Sequence, residues 1–252
     1  MNAGRNCGTS CVDDVMTSMN DLFDMEALAV RYQKVSALIP PHVTLVAVSK
    51  TRSVAEIQAL YDLGHRDFGE NYPQELREKQ PVLPADIRWH FIGHLQTNKV
   101  KYIAPFTHLV HGVDGSKLLD ELEKRAGANR RTQDVLLQVH IAMEETKHGL
   151  SAEEVTELIA SSVSHWPKLR IRGLMGMASN TLDRDQVKAE FRGLAVLFQR
   201  LKALPNLGQA DFSILSMGMS GDADLAIAEG STLVRVGTAI FGERANPDVH
   251  GA

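Results

Sequence analysis

Cysteine is nearly missing from this chain of 252 residues: only Cys7 and Cys11 occur. Both lie in a polar N-terminal leader without the histidines or further cysteines that would complete a metal site, so they read as free thiols in a flexible tail, and no bound metal is expected. Long apolar runs are missing too. Nothing approaches the roughly 18 to 20 residues that a membrane-spanning helix needs, which argues against a membrane partner. No apolar signal segment follows Met1, leaving a cytoplasmic address as the default expectation. An excess of basic charge is also absent. With 27 Lys and Arg against 31 Asp and Glu mixed along the chain, the net charge is -4, so the footprint of a nucleic-acid-binding protein is lacking. Arg130 and Arg131 form an isolated basic pair, expected on a solvated loop.

A composition of 44% hydrophobic and 23% charged residues is that of a soluble globular protein, and no linker divides it. The expected organisation is a leader over residues 1–21 and a single domain over 22–252. Leu22 to Leu38 carries Leu22, Met25, Ala29, Tyr32 and Val35 on one helical face, and Pro40 and Pro41 stop it. Short apolar or β-branched runs then alternate with longer periodic ones, the pattern of βα units around a parallel sheet.

Eight strands are expected, over 43–50, 66–69, 88–92, 108–113, 134–141, 169–175, 212–215 and 233–236. Helices follow each of the first seven. Ser53 with Glu56 and Ser151 with Glu154 have capping-box spacing. Val187, Phe191, Leu194, Phe198 and Leu201 mark the face of a long helix that Pro205 closes. Eight such units make a single (β/α)8 TIM barrel with an extra N-terminal helix the economical fold. A doubly wound open sheet is the alternative, although it normally has fewer strands at this length.

The chemistry centres on Val43-Thr-Leu-Val-Ala-Val-Ser-Lys50, a run that reads as a strand buried on both faces and ends on a lysine. Val46, Val48 and Lys50 share one face, which projects the amine beyond the strand's carboxyl end. A solvated lysine at a strand exit is the bland alternative. In a barrel the strand ends meet at one mouth, which would gather Lys50, Asn71, His94, Ser216, Arg235 and Thr238. Gly218, Gly221 and Gly237 fall in the loops after strands seven and eight, where many barrels bind phosphate. Arg235 alternates with Val234 and Val236, so valines facing the helices would turn its guanidinium inward, toward an acidic side chain or a ligand acceptor.

Other constellations fail. His90 and His94 straddle a glycine without a zincin's glutamate, His108 and His111 fall on opposite faces of one strand, and Ser220 lacks a nucleophile-elbow spacing. Structural roles are expected for all of them.

Six ordered motifs resemble one family. Val46-Ala-Val-Ser-Lys50, Phe68-Gly-Glu-Asn-Tyr72, His90-Phe-Ile-Gly-His-Leu-Gln-Thr-Asn-Lys99, Gly173-Leu-Met175, Leu215-Ser-Met-Gly-Met-Ser220 and Val234-Arg-Val-Gly-Thr-Ala-Ile-Phe-Gly242 are similar to those of the pyridoxal phosphate homeostasis proteins. That family's fold resembles the N-terminal barrel of alanine racemase, and the resemblance spans Val43 to Arg244. It implies pyridoxal 5'-phosphate as cofactor, with Lys50 as Schiff-base lysine and Arg235 at the pyridine side. It also implies phosphate contacts at Ser216, Gly237 and Thr238, a backbone amide from Met217, and Asn71 beside the ring. His94 and the loop Glu144 to Gly149 receive no assigned contact.

A neutral amine is needed to attack the cofactor aldehyde, and partial burial with a nearby guanidinium disfavours the ammonium form. A guanidinium facing the pyridine nitrogen leaves that nitrogen unprotonated and the ring a weak electron sink. The resemblance thus implies a monomeric protein of intracellular cofactor homeostasis that buffers pyridoxal phosphate or delivers it to apoenzymes, in transient contact with them. A racemase is the alternative. It needs a second acid or base, which related racemases take from another domain, whereas this sequence stops at Ala252, ten residues past Gly242. Tyr72 and Tyr102 are expected in core or rim packing.

Overall fold

The structure, a computed structural model, describes residues 25–144, 146–204 and 211–243. Eight parallel strands close into a barrel in sequence order, each paired with the next and the eighth with the first. They are β1 (Thr44–Val48), β2 (Asp67–Glu70), β3 (Arg88–Phe91), β4 (Leu109–Val113), β5 (Gln133–Val139), β6 (Leu169–Gly176), β7 (Ile214–Ser216) and β8 (Leu233–Val236). The barrel expectation holds and the open sheet does not. Among the described residues, no helix is long and apolar enough to cross a membrane.

Residues 25–38 form α1. The helices that follow are α2 (Val54–Asp62), α3 (Pro73–Lys79), α4 (Val100–Ile103), α5 (Ser116–Ala128), α6 (Ala152–His165), α7 (Arg184–Lys202), α8 (Ala223–Ala228) and α9 (Thr238–Phe241). Local chemistry explains their starts. Ser53 and Glu56 satisfy each other's backbone amides at 3.2 and 2.8 Å, opening α2 just past Lys50. Ser151 and Glu154 do the same before α6. Asp183 caps α7 by accepting from the amides of Asp185 and Gln186.

Two cores result. The outer one lies between strands and helices and includes Phe68, Phe91, Phe191 and Leu215; a smaller one inside the barrel joins Val46, Leu109, Leu136, Met175 and Leu233. The inner side chains alternate with outer ones along each strand, as closure requires. Gly173 is obligatory in this frame: at φ +152°, a Cβ there would stand 1.7 Å from the Ile214 carbonyl oxygen. The β5–β6 register shifts beside it.

Several boundaries differ from expectation. On α1, Leu28 is buried while Met25 is exposed, because the face that meets the barrel runs through Leu28, Tyr32 and Val35. Phe212 precedes β7 rather than opening it, since its ring stacks on Phe198 of α7 at 5.1 Å. Arg131 is no solvated residue: its guanidinium donates to the carbonyls of Ala104 and Thr107 at the end of α4. Cys7, Cys11, Leu22, Pro205 and Arg244 lie outside the described residues.

Candidate functional site

The inner row of β1 is Val46 and Val48, and Lys50 follows two residues beyond the strand's end, which comes earlier than expected. Val46 fills the inner core, and above it Val48 and Lys50 line a cavity of about 350 Å³. Arg235 on β8 pairs in register with Val46, while its neighbours Val234 and Val236 are buried in the outer core. Its guanidinium therefore turns inward. Lys50 and Arg235 open onto the same cavity, together with Asn71, Gly237 and Thr238. Arg52, Ser220 and Gly221 complete its polar wall, so among the described residues three cationic side chains and no carboxylate line it.

Such a lining selects an anion. The loops after β7 and β8 close the cavity on one side. Gly218, at φ +95°, makes the first turn, and a Cβ there would stand 2.5 Å from that of Ala226. The Gly237 amide donates to Ser220 Oγ at 3.3 Å, which ties the two loops together.

Two residues expected at a phosphate do not line the cavity. Ser216 is fully buried below the cavity, where its hydroxyl and carbonyl accept from Arg235 Nη1 at 2.5 and 3.0 Å. Met217 is fully buried in the outer core, and its amide donates to the Leu233 carbonyl as part of the wall. Ser220, which had looked merely structural, takes their place at the cavity. Arg52 was missed as well; it donates to the Gly242 carbonyl and lies over the Phe241 ring at 5.5 Å.

Arg235 has main-chain and hydroxyl partners rather than an acid. Besides Ser216, it donates through Nη2 to the Gly176 carbonyl at 3.1 Å. Burial pushes its guanidinium down to about 10, with the Asp222 carboxylate opposing the shift, so it stays cationic at neutral pH.

The residues on either side of Lys50 are clamped from α3. Lys79 Nζ donates to the Ser49 carbonyl at 2.8 Å, to Glu70 Oε1 at 2.8 Å and to Glu75 Oε1 at 2.6 Å. Ser49 Oγ donates to Glu70 at 2.6 Å, and the Thr51 amide donates to Glu75 at 2.6 Å. Thr51 itself sits at φ +63°, a costly conformation for a β-branched residue, held here by the Glu75 contact. No motif of the sequence pointed to Lys79.

The histidines fall into two groups. His94, at the rim, stacks on His148 at 4.7 Å, and its Nδ1 lies 3.3 Å from Asp114 Oδ2. Donor atoms of these three lie within 4.8 Å of one another, a His-His-carboxylate set of the type that holds transition metals. Ring stacking and the carboxylate contact account for their approach without one. His90 and His111 are buried inside the barrel, 2.9 Å apart at Nδ1 and Nε2. His108, contrary to the opposite-face expectation, also packs on the His90 ring, at 5.5 Å, because it precedes β4 and escapes its alternation.

The alanine racemase N-terminal domain family matches residues 23–245. The pyridoxal phosphate homeostasis protein of Aquifex aeolicus is 41% identical over 201 residues, covering 79% of this chain and 86% of that protein. This chain belongs to the pyridoxal phosphate homeostasis proteins. Another member, from Pseudomonas aeruginosa, is 43% identical over 207 residues, covering 81% of this chain and 86% of its own. Among solved structures, PipY of Synechococcus elongatus with PLP bound superposes with a TM-score of 0.77 at 34% identity, over 85% of this chain and 100% of PipY.

Proposed function

We propose that this protein binds pyridoxal 5'-phosphate in the cavity between Lys50 and Arg235 and serves its homeostasis, buffering the cofactor or handing it to apoenzymes. The observation that carries this reading is the lining among the described residues: three cations, no acid, and two glycine-bearing loops tied through Ser220. The residues fit the cofactor. Asn71 Oδ1 is buried without a hydrogen-bond partner among the described residues, and Asn71 lines the cavity, so a polar group of a ligand would satisfy it.

When bound, the cofactor supplies an aldehyde that condenses reversibly with an amine. Lys50 is the amine presented to it, at the end of a rigid strand. Arg235 lines the cavity and would offer N–H donors to the cofactor's ring nitrogen. Because a guanidinium is always a donor, it would favour that nitrogen unprotonated, which suits storage better than carbanion chemistry. Ser220 and Thr238 supply hydroxyls and Gly221 open backbone for the phosphate, with Arg52 adding charge beside them. Tyr72 and Tyr102 do not line the cavity; Tyr72 is exposed, and Tyr102 lies among Arg77, Lys99 and Lys101. This favours a carrier over a racemase. The working form we propose is a cytoplasmic monomer in transient contact with its acceptors.

The test is borohydride reduction of the protein loaded with pyridoxal phosphate, wild type beside Lys50→Ala, read by visible spectrum and peptide mass. Reduction should fix the cofactor to Lys50 in wild type alone. Failure of the wild type to take up the cofactor would overturn the proposal, and alanine racemisation on the order of 1 per second or faster would turn it toward an enzyme.

A further inference from the structure

We propose that a relay of hydrogen bonds through the barrel interior, from Asp67 through His90, His111 and Ser216 to Arg235, sets the orientation and charge of Arg235, with His90 and His111 as positioning residues. The chain is continuous. Asp67 Oδ1 lies 3.1 Å from His90 Nε2, His90 Nδ1 lies 2.9 Å from His111 Nε2, His111 Nδ1 lies 3.1 Å from Ser216 Oγ, and Ser216 Oγ lies 2.5 Å from Arg235 Nη1. Its inner members are shut off from water, with His111 and Ser216 at 0% exposure. It begins near the opposite end of the barrel, where Arg88 also donates to Asp67.

The direction of donation follows from the two ends. Arg235 can only donate, so Ser216 Oγ accepts from it, and the Asp67 carboxylate can only accept. His111, fully buried beside a guanidinium, is held neutral and carries one N–H. If that hydrogen is on Nε2, it points at His90 Nδ1, His90 carries its own on Nε2 toward Asp67, and the Ser216 hydroxyl donates to His111 Nδ1. Every contact then has one donor and one acceptor. If instead His111 were protonated on Nδ1, its Nε2 would have to accept from His90 Nδ1. His90 would then face Asp67 with a bare lone pair or carry hydrogen on both nitrogens, adding a charge to the barrel interior. Only the first arrangement satisfies all the atoms without added charge.

The consequence concerns Arg235. A carboxylate beside the guanidinium would stabilise its charge but would occupy the donors that face the cavity. The relay instead carries the influence of Asp67 to the guanidinium's far side by polarisation along aligned hydrogen bonds. The Ser216 and Gly176 contacts use three of the five N–H donors on the barrel wall, and the rest keep their direction toward the ligand.

The relay itself is tested without cofactor, by long-range 1H–15N correlation on the histidine side chains of the cofactor-free protein. His90 and His111 should each be neutral and protonated at Nε2. Protonation of either ring at Nδ1 would overturn the relay. The effect on Arg235 rests on the cofactor reading above and is tested with His111→Leu and His111→Gln. Loss of one link to a buried charged group should weaken pyridoxal phosphate binding about tenfold in the leucine variant and shift its visible band. Glutamine, which can accept and donate at the same place, should recover affinity to within about threefold. A leucine variant with wild-type affinity and band would refute the positioning role. Should the wild type bind no cofactor at all, the site reading fails, whereas the tautomers still judge the relay.

Discussion

The Lys79 ammonium stands 2.8 Å from the carbonyl oxygen of Ser49, the residue just before Lys50. That single contact links the C-terminal end of α3 to the segment that presents the amine. Lys79 is buried, and its other partners, Glu70 and Glu75, reach Ser49 Oγ and the Thr51 amide, so both neighbours of Lys50 are fixed by one ionic cluster. A chain end held this way loses little entropy when its lysine engages a ligand.

Replacing Lys79 by methionine keeps volume but leaves Glu70 buried with no cation. Breaking a buried pair from one side costs about 3–5 kcal/mol, and at pH 8 the urea midpoint should fall accordingly. Adding Glu70→Gln should restore most of the loss, since the fully buried charge is gone and Glu75, partly exposed, keeps the Thr51 amide. Uptake of pyridoxal phosphate should stay impaired in both variants, because the Ser49 carbonyl is still unclamped. Equal uptake by Lys79→Met and wild type would show that the clamp does not position Lys50.

Glu70 gives the same cluster a pH signature. Burial pushes its carboxyl up to about 7, with Lys79 opposing, whereas an unfolded chain would hold it near the ordinary value of about 4.3. The folded state therefore keeps the proton to higher pH. This contribution to stability is complete below about pH 4.3, is lost as pH rises toward about 7, and changes little above that. Glu70→Gln lacks this dependence but keeps an acceptor for Lys79. Urea midpoints measured from pH 5 to pH 8 should thus move in favour of the variant; a shift in favour of wild type would contradict the buried-acid account.

How much of this could be read in advance differs by element. The barrel was legible because buried parallel strands write continuous β-branched runs such as Thr44–Val48, and capping boxes mark the helix starts. Arg235 was legible as facing inward from strand alternation, and Lys50, Asn71, Gly237 and Thr238 because residues just past the strand ends gather at one mouth. Ser216 and Met217 do not line the cavity, because β7 continues through Ser216 and the turn at Gly218 brings Ser220, two residues further on, to it. The Lys79 clamp and the histidine relay left no local trace. Their members come from separate elements, and their pairing depends on barrel register, which spacing along one strand does not report.

Gly218 offers the sharpest test of the phosphate wall. Alanine there would have to hold φ near +95° and place its Cβ 2.5 Å from the Cβ of Ala226 on α8, a contact that backbone movement alone can relieve. Strain of this kind costs about 1–3 kcal/mol, part of which the loop can shed by shifting away from α8. The shift carries Ser220 with it and breaks its bond from the Gly237 amide, so both loops lose register with the anion. Gly218→Ala should therefore lower the urea midpoint modestly while weakening pyridoxal phosphate far more than pyridoxal, which lacks the phosphate. Titration of both compounds by absorbance separates the two effects. Equal weakening of phosphorylated and unphosphorylated forms would mean that the glycine serves the fold and not the phosphate.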